Sequence, residues 1–304
     1  MPCIRLVVLL LAVPSLSVAQ TVDPSRTSRG TPDLSGYWEY RSTTPLQRPI
    51  SLTGKAVLTL EEMADYLVER HAAIGRERDL QLNADWWQPG DLTDRRTSLV
   101  VDPPAGRIPQ LSADAQARRA RLGPAIRMRL ADGPEDRERY ERCIMGRTVP
   151  LLAVAPNRLA QVFQTRDYLA ILHEQNSDLR IIPLIDHDRL ATPIRQWAGS
   201  SRGFWEGDTL VVETMNFNGQ WTLEGAGRNM RVVERFRVAD GDTLNYQFTI
   251  DDPESFVGPW TVAFPITRAR GPLFENACHE GNHSMPLILR GARAEERAGV
   301  VVTP

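Results

Sequence analysis

Three groups of polar side chains in this sequence could do chemistry. His279-Glu280-Gly281-Asn282-His283 has the H-E-x-x-H spacing of zinc proteases. There two histidines one helical turn apart hold the metal, and the glutamate activates a bound water. Three observations weigh against that reading. Gly281 and Asn282 are poor mid-helix residues. Ser284-Met285-Pro286-Leu287 supplies no further histidine, and only 21 residues follow His283, leaving Glu295 or Glu296 as third ligand if the tail folds back. No metal is therefore expected. His279, Glu280 and Asn282 still stand as site candidates, because Cys278 beside them can anchor the cluster covalently.

The second group is Asp186-His187-Asp188-Arg189, followed by Arg195 and Trp197. A histidine flanked by carboxylates is a good general acid or base, though the same residues also make an ordinary polar turn. The third is a single residue. Val232, Glu234, Phe236 and Val238 share one face of a strand, which places a carboxylate among apolar neighbours. Such a group needs a partner. It is either paired with an arginine on a nearby strand or it touches a ligand.

Other chemistry is excluded by context. Gly199-Ser200-Ser201-Arg202-Gly203 resembles a G-x-S-x-G elbow but leads into a β-hairpin instead of a helix. The sequence has no phosphate loop, dinucleotide fingerprint or CxxC pair, so no cofactor is expected.

The elements that must position these groups are mostly strands. Arg158–Thr165, Tyr168–Glu174, Leu179–Ile185, Thr209–Phe217, Val232–Val238, Thr243–Ile250 and Trp260–Ile266 are rich in branched and aromatic residues and are parted by short turns. Connections this short demand antiparallel neighbours. Leu244, Tyr246, Phe248 and Ile250 alternate with Asn245, Gln247 and Thr249, giving one apolar and one wet face. A meander of this kind forms a closed barrel or a strongly curved sheet and commonly surrounds a hollow for one small ligand.

Helical patterns sit in the first half. Thr59 with Glu62 fits a capping box before Leu60, Met63, Leu67 and Ile74, and Ser112 caps a second helix through Leu122. This segregation predicts a mainly β, α+β chain: an antiparallel barrel of about eight strands with a helical insertion over about residues 55–145. Residues 33–293 are expected to form a single domain, with a leader at 20–32 and a tail at 294–304.

Residues 1–19 read as a secretory signal. Arg5 precedes the apolar run Leu6–Val13, and Ser17-Val18-Ala19 is a small-residue cleavage site. Cleavage after Ala19 predicts a periplasmic or secreted protein with no membrane insertion, since the apolar run is far short of the ~20 residues a spanning helix needs. Loss of Arg5 takes the formal charge from −2 to about −3. That balance offers no case for nucleic acid.

Cleavage also removes Cys3, leaving Cys143 and Cys278 in an oxidising compartment. One structural disulfide is the simplest reading, and two free thiols, one nucleophilic, the alternative. Closing so long a loop would stabilise the fold by roughly 4–5 kcal/mol on the chain-entropy model.

Asp33–Trp38 (DLSGYW), Arg96–Pro109 (RTSLVVDPPAGRIP), Gly203–Thr214 (GFWEGDTLVVET) and Ala277–Ser284 (ACHEGNHS) together resemble a large group of exported bacterial proteins. In that group the last motif reads closer to CHEGNY, with Tyr where this chain has His283. The resemblance implies a lipocalin-like barrel and supports the Cys143–Cys278 pairing. Gly36-Tyr37-Trp38 is also similar to the G-x-W opening of lipocalins, whose Trp would plug the closed end of the barrel.

Two functions follow. One is binding of a small apolar or aromatic molecule, contacted by Trp197, Trp205, Arg189, Asn282 and Tyr246. The other is cofactor-free lyase, isomerase or hydratase chemistry, with His279 or His187 moving a proton and Glu280 or Glu234 orienting it. The two part on geometry: catalysis needs His279, Glu280 and Glu234 to meet in one apolar cavity.

Overall fold

The computed structural model describes residues 26–77, 92–127, 131–146, 148–153, 158–185, 190–191, 193–220 and 223–299. Its strands are β1 Gly36–Glu39, β2 Val100–Asp102, β3 Leu159–Gln164, β4 Tyr168–His173, β5 Leu179–Pro183, β6 Ser200–Glu206, β7 Thr209–Met215, β8 Arg231–Asp240, β9 Thr243–Asp251 and β10 Trp260–Arg268. Three α-helices accompany them among the described residues: α1 Leu60–Glu77, α2 Ala113–Arg127 and α3 Ser284–Arg297.

The strands form one antiparallel sheet in the order β5-β4-β3-β1-β10-β9-β8-β7-β6, with β2 paired to β10 beside that path. The nine strands of the path curl into a nearly closed, lipocalin-like barrel. Nine is one more than the expected eight or so, and the odd number has a consequence. Eight antiparallel steps leave β5 and β6, the two ends of the path, running the same way. No backbone ladder joins them.

Side chains close this seam instead. Arg180 Nε of β5 donates to Ser201 Oγ of β6 at 3.0 Å. A Cβ placed on Gly203 of β6 would lie 2.7 Å from Leu184 Cδ2 and 3.1 Å from Ile182 Cγ2. Glycine here therefore lets β5 and the residue after it lie against β6.

Inward positions follow the two-residue strand period. Leu169, Ile171, Ile182, Leu210, Val212, Val232, Phe236, Leu244, Tyr246, Phe248, Trp260, Val262, Phe264 and Ile266 are buried in a single core. Trp38 of β1 is also buried. Its indole N–H donates to Leu34 O at 2.8 Å, and the Arg268 guanidinium lies 4.4 Å from its ring centroid.

The barrel also contains a piece of chain with no regular structure. Met145, Val149, Leu151, Leu152 and Ala153 are buried, and the last four belong to the barrel core. The backbone polar groups of such a segment need partners. Leu151 N–H donates to Tyr246 Oη at 3.0 Å, and Gly146 N–H to Asp178 Oδ2 at 2.7 Å. Cys143, at the start of this plug, is disulfide-bonded to Cys278 beyond β10, with S–S 2.09 Å. The expected pairing is thus present, and it tethers the plug to the far end of the chain.

Both expected helix caps are formed. Thr59 and Glu62 make the reciprocal pair at 2.9 and 3.2 Å, and Ser112 Oγ accepts from Ala115 N–H at 3.2 Å. The insertion is not wholly helical, since β2 lies between α1 and α2 and joins the sheet. Helix α3 occupies a stretch read from sequence as the end of the domain and its tail. Pro286 sits in its first turn, where the missing N–H costs no hydrogen bond. No helix among the described residues is long and apolar enough to cross a membrane.

Candidate functional site

Glu234 is fully buried on β8, and the arginine partner exists. Arg180 of β5, itself 6 % exposed, donates from Nη2 to Glu234 Oε2 at 2.5 Å and to Thr214 Oγ1 of β7 at 2.7 Å. Tyr246 of β9 donates its hydroxyl to Glu234 Oε1 at 2.7 Å. Both carboxylate oxygens are occupied, and the Tyr246 oxygen also accepts from the plug at Leu151. Burial, then the Glu234 charge, pushes the Tyr246 hydroxyl well above its ordinary range, so it serves as a fixed donor.

His173 of β4 lies next to this network. It is fully buried, its Nδ1 is 3.5 Å from Tyr40 Oη, and its Nε2 has no hydrogen-bond partner among the described residues. Burial, reinforced by the Arg180 charge, pulls it down to about 3 and keeps the ring neutral. Burial likewise raises the Tyr40 hydroxyl.

The cavity bounded by Leu34, Trp38, Leu151, Phe236, Leu244 and Ile266 measures about 20 Å³. That is room for about one water. Around this cavity the hollow expected from the strand pattern is packed by core side chains and by the plug, whose Leu151 lines it.

The sequence candidates scatter. Glu234 and Tyr246 meet, but His279 and Glu280 lie on an exposed turn and do not reach the buried carboxylate. Gly281 has φ +69° and α3 begins only at Ser284, so His279 and His283 do not share a helix face. Asn282 is half-buried and donates to Cys143 Sγ at 3.2 Å and Glu141 O at 3.3 Å, a structural role beside the disulfide. Trp197 is half-buried with the Arg142 guanidinium 5.9 Å from its ring, and Trp205 packs partly buried on the core. His187 and Arg189 lie outside the described residues, as do Trp86, Trp87 and Trp221.

Space for a ligand is found on the outer face. An open groove of about 640 Å³ runs over β7–β10, walled on one side by the turn at Asp94–Arg96. Its floor is built from outward residues in register. Pro265, Asn245, Arg237 and Thr209 form one row across four strands; Ala263, Gln247 and Arg235 form the next. Arg96 is anchored through Nη2 to Ala263 O at 2.5 Å. Burial lowers its pKa from the usual arginine value while Asp94, 4.0 Å away, opposes the shift. Arg235 is held by Glu206 at 2.9 and 2.8 Å.

Reading the sequence for inward chemistry missed this groove, because its residues are the ordinary wet face of β8 and β9. Arg180 was also missed, although an arginine inside Leu179-Arg180-Ile181-Ile182 is as anomalous as Glu234 on its own strand.

No protein-family model, curated protein or solved structure matches this chain.

Proposed function

We propose that this protein is an exported binding protein for a small organic molecule, and that it takes its ligand in the outer groove over β7–β10. One contrast carries the reading: the cavity in the barrel core beside Trp38 and Leu151 has room for about one water, while the groove, at about 640 Å³, falls in the 300–1,000 Å³ range typical of ligand sites. Binding is favoured over catalysis. Among the described residues the groove is lined by arginines, amides and hydroxyls together with Ala263, Phe264, Pro265 and Tyr246, and its acid, Asp94, is 80 % exposed at the rim, so it lacks a shielded acid–base pair. The buried Glu234 carboxylate already has both oxygens engaged.

The test is native mass spectrometry on the mature protein purified from its own host. A retained molecule is expected, lost when Asn245→Trp fills the groove and kept when Leu151→Ala enlarges the interior. Retention through the Asn245→Trp change would move the site elsewhere.

A further inference from the structure

Resting on the groove as the site, we infer that its ligand is a small planar organic carboxylate, held by Arg237 with Arg235 and Arg96 flanking it. The charge pattern comes first. Three arginines line the groove against one acid, Asp94 at the rim. Two neighbouring acids are already committed: Glu206 to Arg235, and Asp208 to a fork from Arg26 with two contacts of 2.9 Å. Arg237 makes no hydrogen bond or close ion pair among the described residues; it is exposed and interacts only at longer range with the Asp208 carboxylate that Arg26 holds. A guanidinium free to present its planar edge matches a carboxylate with two parallel hydrogen bonds.

The spacing comes second. Arg235 and Arg237 project from the same face of β8, about 7 Å apart at the strand rise. Arg96 stands at β10, two strands away, which is roughly 10 Å. Between them the floor is low: Ala263 and the Pro265 ring on β10, and the Asn245 and Gln247 amides on β9. A flat ring fits across that span with its acidic group at Arg237. The amides then meet polar substituents, and the arginine stems cover the ring faces.

The half-desolvated Arg96 supports the same class of ligand. Burial disfavours its charge and Asp94 reaches it only at 4.0 Å, so an anion in the groove relieves it.

Calorimetric titration of the mature full chain with benzoate, its neutral isostere benzamide, and inorganic phosphate tests the inference. Benzoate is expected to bind, with benzamide weaker by about tenfold or more and benzoate affinity falling as much in Arg237→Gln. Arg237→Lys should recover only part of that loss, since it keeps the charge without the fork. If benzamide binds as well as benzoate and Asn245→Trp abolishes both, the groove stands and the carboxylate inference fails. Phosphate binding more tightly than benzoate also overturns the planar carboxylate. If none of the three binds, or Asn245→Trp leaves benzoate binding unchanged, the inference and the groove site fall together. Arg237 is exposed, so its variants should fold normally, which thermal unfolding verifies.

Discussion

Arg180 on β5 and Glu234 on β8 meet at 2.5 Å across the one seam of the barrel that has no backbone ladder. On the way Arg180 also bonds Ser201 of β6 and Thr214 of β7, so a single side chain ties four strands together. The ion pair thus does the work of the missing ladder. A buried pair adds little net stability over a well-packed apolar pair, but removing one partner strands the other's charge.

Arg180→Met should therefore destabilise the protein by roughly 3–5 kcal/mol, and a Glu234→Leu change added to it should restore a large part of the loss. Denaturant unfolding of the two single variants and the double variant measures the coupling. Near-neutral behaviour of Arg180→Met alone would dismiss the seam as a structural device.

His173 should make the fold sensitive to acid. Its folded pKa is depressed to about 3, so the unfolded chain takes up the proton first as pH falls. The neutral ring's contribution is complete above the unfolded value of ~6.5 and drains away between there and about 3. At its limit the loss is on the order of 5 kcal/mol. Asp178 and Glu174, whose carboxyls burial raises, act in the opposite sense in the acid range. The readout is therefore the difference between wild type and His173→Gln in unfolding free energy from pH 7 to pH 4. A difference independent of pH would refute the assignment.

Cutting the Cys143–Cys278 tether should loosen the plug before the barrel. Cys143→Ser with Cys278→Ser is expected to cost up to roughly 4–5 kcal/mol, the chain-entropy figure for a loop of this length. Amide exchange locates the effect. The Leu151 and Gly146 N–H groups, bonded to Tyr246 and Asp178, should lose protection while β8 and β9 keep theirs. Uniform loss across the barrel would mean that the tether stabilises the whole fold evenly.

Gly203→Ala should destabilise by about 1–3 kcal/mol, because its Cβ would press on Leu184 and Ile182 at the seam. Gly241→Ala, with nothing within 4 Å of the added carbon, is the matched control and should change stability by no more than ~0.5 kcal/mol. Equal effects at the two sites would show that β5 does not pack on β6 as described.

Much of this architecture is local and can be read along the chain. The alternation of Leu244, Tyr246, Phe248 and Ile250 marks an inward face because the strand period is two, whatever lies across from it. The Thr59–Glu62 and Ser112 caps act within a few residues of their helices, and Glu234 declares itself by standing on an apolar face. What the sequence left open depends on groups far apart in the chain. Which arginine answers Glu234 is decided by where β5 and β6 meet, across 54 residues. The number of strands, and with it the parallel seam, follows from how the ring closes. The interior is filled because a stretch without periodicity, around Leu151, folds into the barrel, and no local pattern announces an irregular segment as core. The exposed turn holding His279 and Glu280 and the arginine-lined groove on the wet face were settled in the same way: the sequence determined which faces each strand presents, and only the assembled sheet determined which of those faces enclose space.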